Sequence, residues 1–395
     1  MTLAALPLAA IEADLAHLTA LRRDLHAHPE LGFEEHRTAA RIRTELEACG
    51  IPVFAEIGGT GLVGLVEGRG GPGRSIGLRA DMDALPIEED SDFPWRSTVP
   101  GRFHGCGHDG HVAMLVGAAR HLAAHRDFPG RVVLVFQPAE EGLGGARAML
   151  RDGLFARFPC DEIYALHNDP NRGFCEVGLR RGPVSASADF FDIDVRGNGG
   201  HAAFPHRTID AGLVAIAIAQ ALHAIVGRDI DPNEAAVVSV TAMNAGTTYN
   251  VIPGTARLSG TIRSFSPLVR ERIAGRIGTL AAGIAQAYGA EARVSIRDVF
   301  STLVNHDAQA AALAKAARAV VGAGKVDTDV PKVTTSEDFA DMLMAVPGAY
   351  CFLGQGAGAA LHNPRYAFND AVIPIGAALF ARIALDRLAR LSLSI

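Results

Sequence analysis

The sequence predicts an α/β protein with a smaller α+β domain inserted into a larger domain of strands and helices. Three observations carry that expectation. Short apolar runs alternate with helical stretches through the first half and again after residue 300, the pattern of a sheet covered by helices. From residue 186 to 297 the order becomes strand, helix, strand, strand, helix, strand, that of a ferredoxin-like split unit. A chain of 395 residues, at about 150 per domain, also has room for more than one.

Taken in order, the opening MTLAALPLAAIEADL is apolar without a basic leader and passes into an amphipathic pattern, so it reads as a first helix rather than a signal peptide. EEHRTAARIRTELEACG reads as an amphipathic helix stopped by Gly50. Strands are expected at 61–68 (GLVGLVEG), 75–80 (SIGLRA), 131–137 (RVVLVFQ) and 162–167 (EIYALH). Between the second and third lies a helix of about four turns, GHVAMLVGAARHLAAH, by its 3.6-residue repeat. GRGGPG (68–73) matches a dinucleotide fingerprint, but a strand follows where a helix is required, so it reads as a turn. The inserted domain runs SADFFDIDVRG, DAGLVAIAIAQALHAIVG, AAVVSVTAM, ARLSGTIRSF, a helix with Ser266 as cap and Pro267 in its first turn, and EARVSIRDVF. The helix HDAQAAALAKAARAVVG, the strand GAYCFLG and the helix PIGAALFARIALDRLARL then complete the larger domain. The expected boundaries are 1–185 and 298–395 for the larger domain and 186–297 for the insert.

Composition excludes several classes. With 37 Lys+Arg against 43 Asp+Glu, the chain lacks the basic excess of a nucleic-acid binder. A hydrophobic share of 49% with 20% charged residues supplies a large core and excludes general disorder. No apolar run reaches the roughly 18 residues of a membrane span. Five cysteines, odd in number and without a disulfide pattern, fit a reducing cytoplasm.

Candidate metal-binding groups cluster after the strands. Asp81 and Asp83 follow SIGLRA; Cys106, His108, Asp109 and His111 lie in HGCGHDGH ahead of a helix; Glu140 and Glu141 follow RVVLVFQ; His167 ends EIYALH; His362 follows GAYCFLG. In open α/β sheets the ligand crevice lies beyond the carboxyl ends of the strands, so these groups can converge. Carboxylates, imidazoles and a thiol together describe a divalent transition-metal site, binuclear if all take part. Cys106 stands out from the core cysteines because imidazoles flank it two residues away on each side, a neighbourhood that offers the electropositive groups or the metal a thiolate needs. Adjacent Glu140 and Glu141 permit a division of labour, one on metal and one on protons. Asp81 and Asp83 read as turn residues or as supports that orient a metal-binding imidazole. His26, His28 and His36 read as structural, without convergent partners.

The runs RRDLHAHPELGFEEHRTA, RADMDALPIEE, HGCGHDGHVAML, QPAEEG, ALHNDP, GNGGHAAFPH, YNVIPGTARLSGTIRSF, TSEDFADML and LHNPRYAFND resemble, in order, the peptidase M20 family. The resemblance is closest to its amidohydrolase subfamily of hippurate hydrolases, N-acyl-amino-acid amidohydrolases and auxin-conjugate hydrolases. It implies a zinc-peptidase-like catalytic domain with an inserted lid domain, and two divalent ions, manganese or zinc with cobalt or nickel as alternatives. By motif position it assigns Cys106, His108, Glu141, His167 and His362 to the metals and Glu140 to the general base. It places His201 at the developing oxyanion, Asn250 and Arg263 on the substrate, and Asp81 and Asp83 behind the ligands, since other branches carry His-x-Asp there. The implied reaction is hydrolysis of the amide of an N-acyl amino acid by a metal-activated water. A homo-oligomer through the lid domain is compatible with it. Dipeptides, N-acetylated diamino acids, and a catalytically inactive metal-binding homologue remain as alternatives, the last disfavoured because Glu140 is present.

Overall fold

The computed structural model describes residues 7–389; the first six residues of the opening run, and the end of the last helical pattern, lie outside the described residues. The chain divides into two compact units. One is formed by the chain up to Val184, Val304–Pro331 and the chain from Asp338 onward; the other by Ser185–Leu303 with Lys332–Glu337.

Before the insert, after a short helix at Leu8–Glu12, come α1 (Leu15–Ala27), α2 (His36–Ala48), β1 (Val53–Ala55), β2 (Leu62–Glu67), β3 (Ser75–Asp81), α3 (His108–Ala124), β4 (Arg131–Gln137), β5 (Glu162–Asp169) and β6 (Val177–Gly178). The insert holds β7 (Ser187–Arg196), α4 (Ala211–Leu222), β8 (Ala236–Ala245), β9 (Thr255–Ser264), α5 (Pro267–Ala287) and β10 (Glu291–Phe300). After it come α6 (Asp307–Val321), β11 (Val326–Asp327), β12 (Gly348–Gly354) and α7 (Ile373–Ala389).

The larger unit is built on an eight-stranded mixed sheet of order β1-β2-β4-β3-β5-β12-β6-β11. Its centre, β4-β3-β5-β12, is parallel. These strands are buried almost end to end, which explains why they read as unbroken apolar runs rather than alternating ones. Across the sheet Asp81 pairs with Gln137 and His167 with Phe352, so the carboxyl ends of the four strands lie level. α2 ends in a Schellman turn: Gly50 has φ 65°, its N–H bonds the Glu47 carbonyl, and the Ile51 N–H bonds that of Leu46. α3 and α7 pack closely at Gly376, where a Cβ would stand 2.2 Å from the Met114 sulfur.

At the other end of β5, Glu162 ties the sheet to the C-terminal helix. Its buried carboxylate accepts from Arg387 Nε at 2.6 Å and from the Tyr164 hydroxyl at 2.7 Å, and lies 2.8 Å from Arg74. Burial raises its pKa, but the hydrogen bonds from Arg387, Arg74 and Tyr164 outweigh burial and hold it at about 2. Glu162→Gln is therefore expected to cost about 3 kcal/mol at neutral pH, the scale of breaking a buried ion pair from one side. Because the folded-state pKa is depressed, that stabilisation is present above the ordinary value of 4.5 and disappears as pH falls towards about 2. Thermal melts of both proteins should converge over that window; a gap unchanged down to pH 2 would remove the ion pair as its source.

The inserted unit is a four-stranded antiparallel sheet of order β8-β9-β7-β10, the order expected of a ferredoxin-like fold. Alternate residues Phe191, Ile193 and Val195 of β7, and Leu258 and Ile262 of β9, are buried with the apolar faces of α4 and α5. Asp210 caps α4 by accepting from the N–H groups of Gly212 and Leu213. Ser266 does occupy the cap position of α5, with Pro267 following, but its side chain makes no capping bond, which corrects the sequence expectation. β10 continues to Phe300, so the last strand runs three residues past the boundary drawn at 297.

Candidate metal centre

The larger unit gathers the side chains that follow its central strands. Cys106 precedes α3 across Gly107, whose φ is 91° and whose position a Cβ would bring to 2.6 Å from Asn168 Oδ1. His108 opens α3. Glu140 and Glu141 lie in the turn after β4, and His167 near the end of β5. His362 lies in the loop after β12 with φ 63°, its N–H held by the Gly105 carbonyl at 2.8 Å.

Cys106 Sγ is 3.4 Å from His167 Nε2, and His362 Nε2 is 3.2 Å from Glu141 Oε1. His108 Nδ1 donates to the Asp83 carbonyl at 2.9 Å, with Asp83 Oδ1 at 3.2 Å, and His167 Nδ1 donates to the Asn168 carbonyl at 2.8 Å. With Nδ1 so occupied, each imidazole in its neutral form presents the Nε2 lone pair as a potential metal ligand. The potential ligand atoms fall into overlapping groups: Cys106, His108 and His167; Cys106, Glu141 and His362; and His108, Glu140 and Glu141. In each group the atoms lie within 4.8 Å of one another. Two adjacent cation positions that share Cys106 fit this overlap.

The electrostatics call for a cation. His108 Nε2 and Glu141 Oε1 are buried without a hydrogen-bond partner. Burial disfavours the charged form of His108, yet Asp81, Asp83 and Glu141 raise its pKa to about 10. Burial lowers that of His167, with His111 adding to the shift. For Cys106, burial followed by the charges of Glu141, Glu140 and Asp81 pushes the thiol well above its usual range. Of the two supports the sequence offers a thiolate there, electropositive neighbours or a metal, this environment favours the metal. Burial first and the nearby carboxylates second oppose a thiolate at Cys106, which a bound cation would support. Asp81 also lies within reach of His108 and His111, but both its oxygens are engaged: Oδ1 is 2.5 Å from His111 Nδ1 and Oδ2 accepts from Arg79 at 2.7 Å. Burial opposes its charge, but Arg79, His108 and His111 hold its pKa well below the usual carboxylate range.

Residues 77–386 match the family model described as peptidase family M20/M25/M40. The hippurate hydrolase of Campylobacter jejuni is 38% identical over 93% of this chain and 96% of its own. Thermostable carboxypeptidase 1 of Saccharolobus solfataricus is 36% identical over 92% of this chain and 93% of its own. The chain belongs to peptidase family M20/M25/M40. Among solved structures, the Bacillus subtilis YXEP protein, a dinuclear metal-binding peptidase of the M20 family, superposes with a TM-score of 0.83 at 33% identity, covering 96% of this chain and 99% of its own.

The protein is accordingly an M20 metallohydrolase of the amidohydrolase type, with a zinc-peptidase-like α/β fold. No helix among the described residues is long and apolar enough to cross a membrane. The other residues singled out by the motif resemblance, His201, Asn250 and Arg263, lie in the inserted unit. His201 sits on a two-stranded ribbon opposite Val251, and the Asn250 carbonyl accepts from Ala202 N–H at 3.0 Å, so these two are neighbours. Arg263 is on β9, half-buried, with its guanidinium 6.0 Å from the centre of the Phe190 ring. Burial lowers its pKa, against the field of Asp189.

Two features of this M20 site escape sequence reasoning. His26 is not without partners: it is buried, with Nδ1 2.8 Å from Asp109 and Nε2 3.3 Å from Glu89, and Arg22 also reaches Asp109. Glu35 is buried behind the Glu140 turn. Each lies far in sequence from the group it meets, so no local periodicity marks it.

Proposed function

We propose that the protein hydrolyses the amide bond of N-acyl amino acids, releasing a carboxylic acid and an amino acid. The overlapping donor groups around Cys106 and Glu141, with Glu140 on the same turn, are the observation that carries this reading. Cys106, His108, Glu141, His167 and His362 would hold two divalent ions, with manganese or zinc suited to this mixture of S, N and O donors. Such ions, when bound, supply Lewis acidity that lowers the pKa of water and polarises a carbonyl. Glu140 takes the proton released as water attacks and returns it to the leaving nitrogen. Asp83 and the Asn168 carbonyl hold the Nδ1–H of His108 and His167, fixing the tautomer each needs. His201 donates to the developing oxyanion, Asn250 contacts the substrate, and Arg263 takes its carboxylate. A partly desolvated guanidinium such as that of Arg263 favours an anionic partner.

The activities by which the relatives are named support the same substrate class. Hippurate and the substrates of a carboxypeptidase share a free carboxylate on the amine side of the scissile amide. The test is a panel of hippurate, N-acetyl and longer N-acyl amino acids, their carboxamides, and dipeptides, assayed on the metal-loaded enzyme. N-acyl amino acids should be preferred over their carboxamides by about 10- to 100-fold in kcat/KM, the scale of one charged hydrogen bond. A preference for dipeptides, or indifference to the carboxylate, would overturn this reading.

A further inference from the structure

The turn that presents Glu140 and Glu141 is built on an unfavourable conformation. Ala139, immediately before Glu140, has φ 51°, and Gly142 and Gly144 follow at 82° and 77°. A residue with a Cβ stays in the left-handed region only where its surroundings over-determine it. Here they do so from several sides. The Ala139 carbonyl accepts from Gly145 N–H at 3.0 Å, and Glu141 N–H donates to Asp83 Oδ2 at 3.0 Å. The Ala139 N–H donates to Glu35 Oε1 at 2.8 Å. Gly32 closes on the same spot, where a Cβ would stand 2.9 Å from that of Ala139.

Glu35 is a costly residue to have there. Its side chain is fully buried, and its other oxygen accepts a short hydrogen bond from the Thr60 hydroxyl. Burial, opposed by that hydrogen bond and reinforced by Asp83, pushes its pKa up to about 7. The helix it precedes does not need it. Glu35 makes no capping bond to α2: the His36 N–H bonds the Glu34 carbonyl, and those of Arg37 and Thr38 are taken by Glu30 at 3.0 and 2.8 Å. Nor does Glu35 belong to any of the metal-donor groups.

We infer that Glu35 is a positioning residue for Glu140: by holding the Ala139 N–H it maintains the left-handed turn that presents Glu140, whereas Glu141 has its own anchor in the bond from its N–H to Asp83. This rests on Glu140 being the general base. Glu35→Met keeps the length of the side chain but removes the acceptor. It should lower kcat at least tenfold while metal content and KM stay near wild type. Glu35→Gln retains an acceptor for Ala139 and should keep most of the activity. Adding Ala139→Gly to Glu35→Met should recover several-fold in kcat, because glycine takes this φ without strain, a rescue that general core packing would not show. If Glu35→Met does not fold, Glu35→Asp, which draws the carboxylate back by one methylene, replaces it in the same comparison. Wild-type kcat in a folded acceptor-deficient variant, an equal loss in Glu35→Gln, or no rescue by Ala139→Gly would each overturn the inference. Glu140→Gln, made alongside, separates the two failures. If it stays active, the base assignment falls; if it is inactive while Glu35→Met is not, only the role of Glu35 falls.

Discussion

Glu140→Gln is expected to keep its metal and to lose at least about a hundredfold in kcat, the usual scale of a missing general base. That loss corresponds to about 2.7 kcal/mol of barrier. Glutamine preserves the shape of the turn but cannot take a proton from water, so kcat and kcat/KM should fall together. The neighbouring Glu141→Gln should behave differently. Glu141 Oε1 is buried, has no hydrogen-bond partner in the protein and lies 3.2 Å from His362 Nε2, so it is placed to hold a cation. Its variant should lose metal first, and activity should return in part as the ion concentration is raised. Steady-state kinetics with elemental analysis of each protein decide the matter. An exchange of the two phenotypes would exchange the roles.

Chelation is expected to abolish turnover altogether and to lower the melting temperature, with both restored by manganese or zinc. The expected stability change follows from the charges. Without a cation, Glu140, Glu141 and Asp81 surround a neutral thiol, and His108 is driven to hold a proton, with its pKa at about 10. An ion bound at a thousand times its dissociation constant contributes about 4 kcal/mol to the folded state. Proton uptake on chelation, followed in weakly buffered solution, gives a second readout, since ligands must be deprotonated to hold metal. Full activity with less than one equivalent of metal remaining would sink the metallohydrolase mechanism.

Much of the frame is legible in local pattern. The four central strands appear as unbroken apolar runs because parallel strands are buried on both faces. The insert reveals itself by alternation, because its antiparallel sheet buries Phe191, Ile193 and Val195 on one face. The donors, too, sit where α/β topology concentrates function, just past the carboxyl ends of strands. What does not show is which of the two supports a thiolate at Cys106 would have. Flanking imidazoles are visible in the sequence, whereas Glu141, Glu140 and Asp81 approach the thiol only in the folded chain.

The sequence by itself therefore determined the α/β class, the inserted α+β unit and the family, because strand and helix periodicities and motif order are properties of contiguous residues. The tertiary structure alone decided that both oxygens of Asp81 are taken by His111 and Arg79. It also decided that His26 belongs to a buried charge network with Asp109, and that Glu35 holds the turn before Glu140. The physical reason is that these choices are made by desolvation and by pairing between segments distant in sequence. A buried carboxylate or imidazole takes the partner that folding brings within hydrogen-bond reach, and no pattern of neighbouring residues records which partner that is.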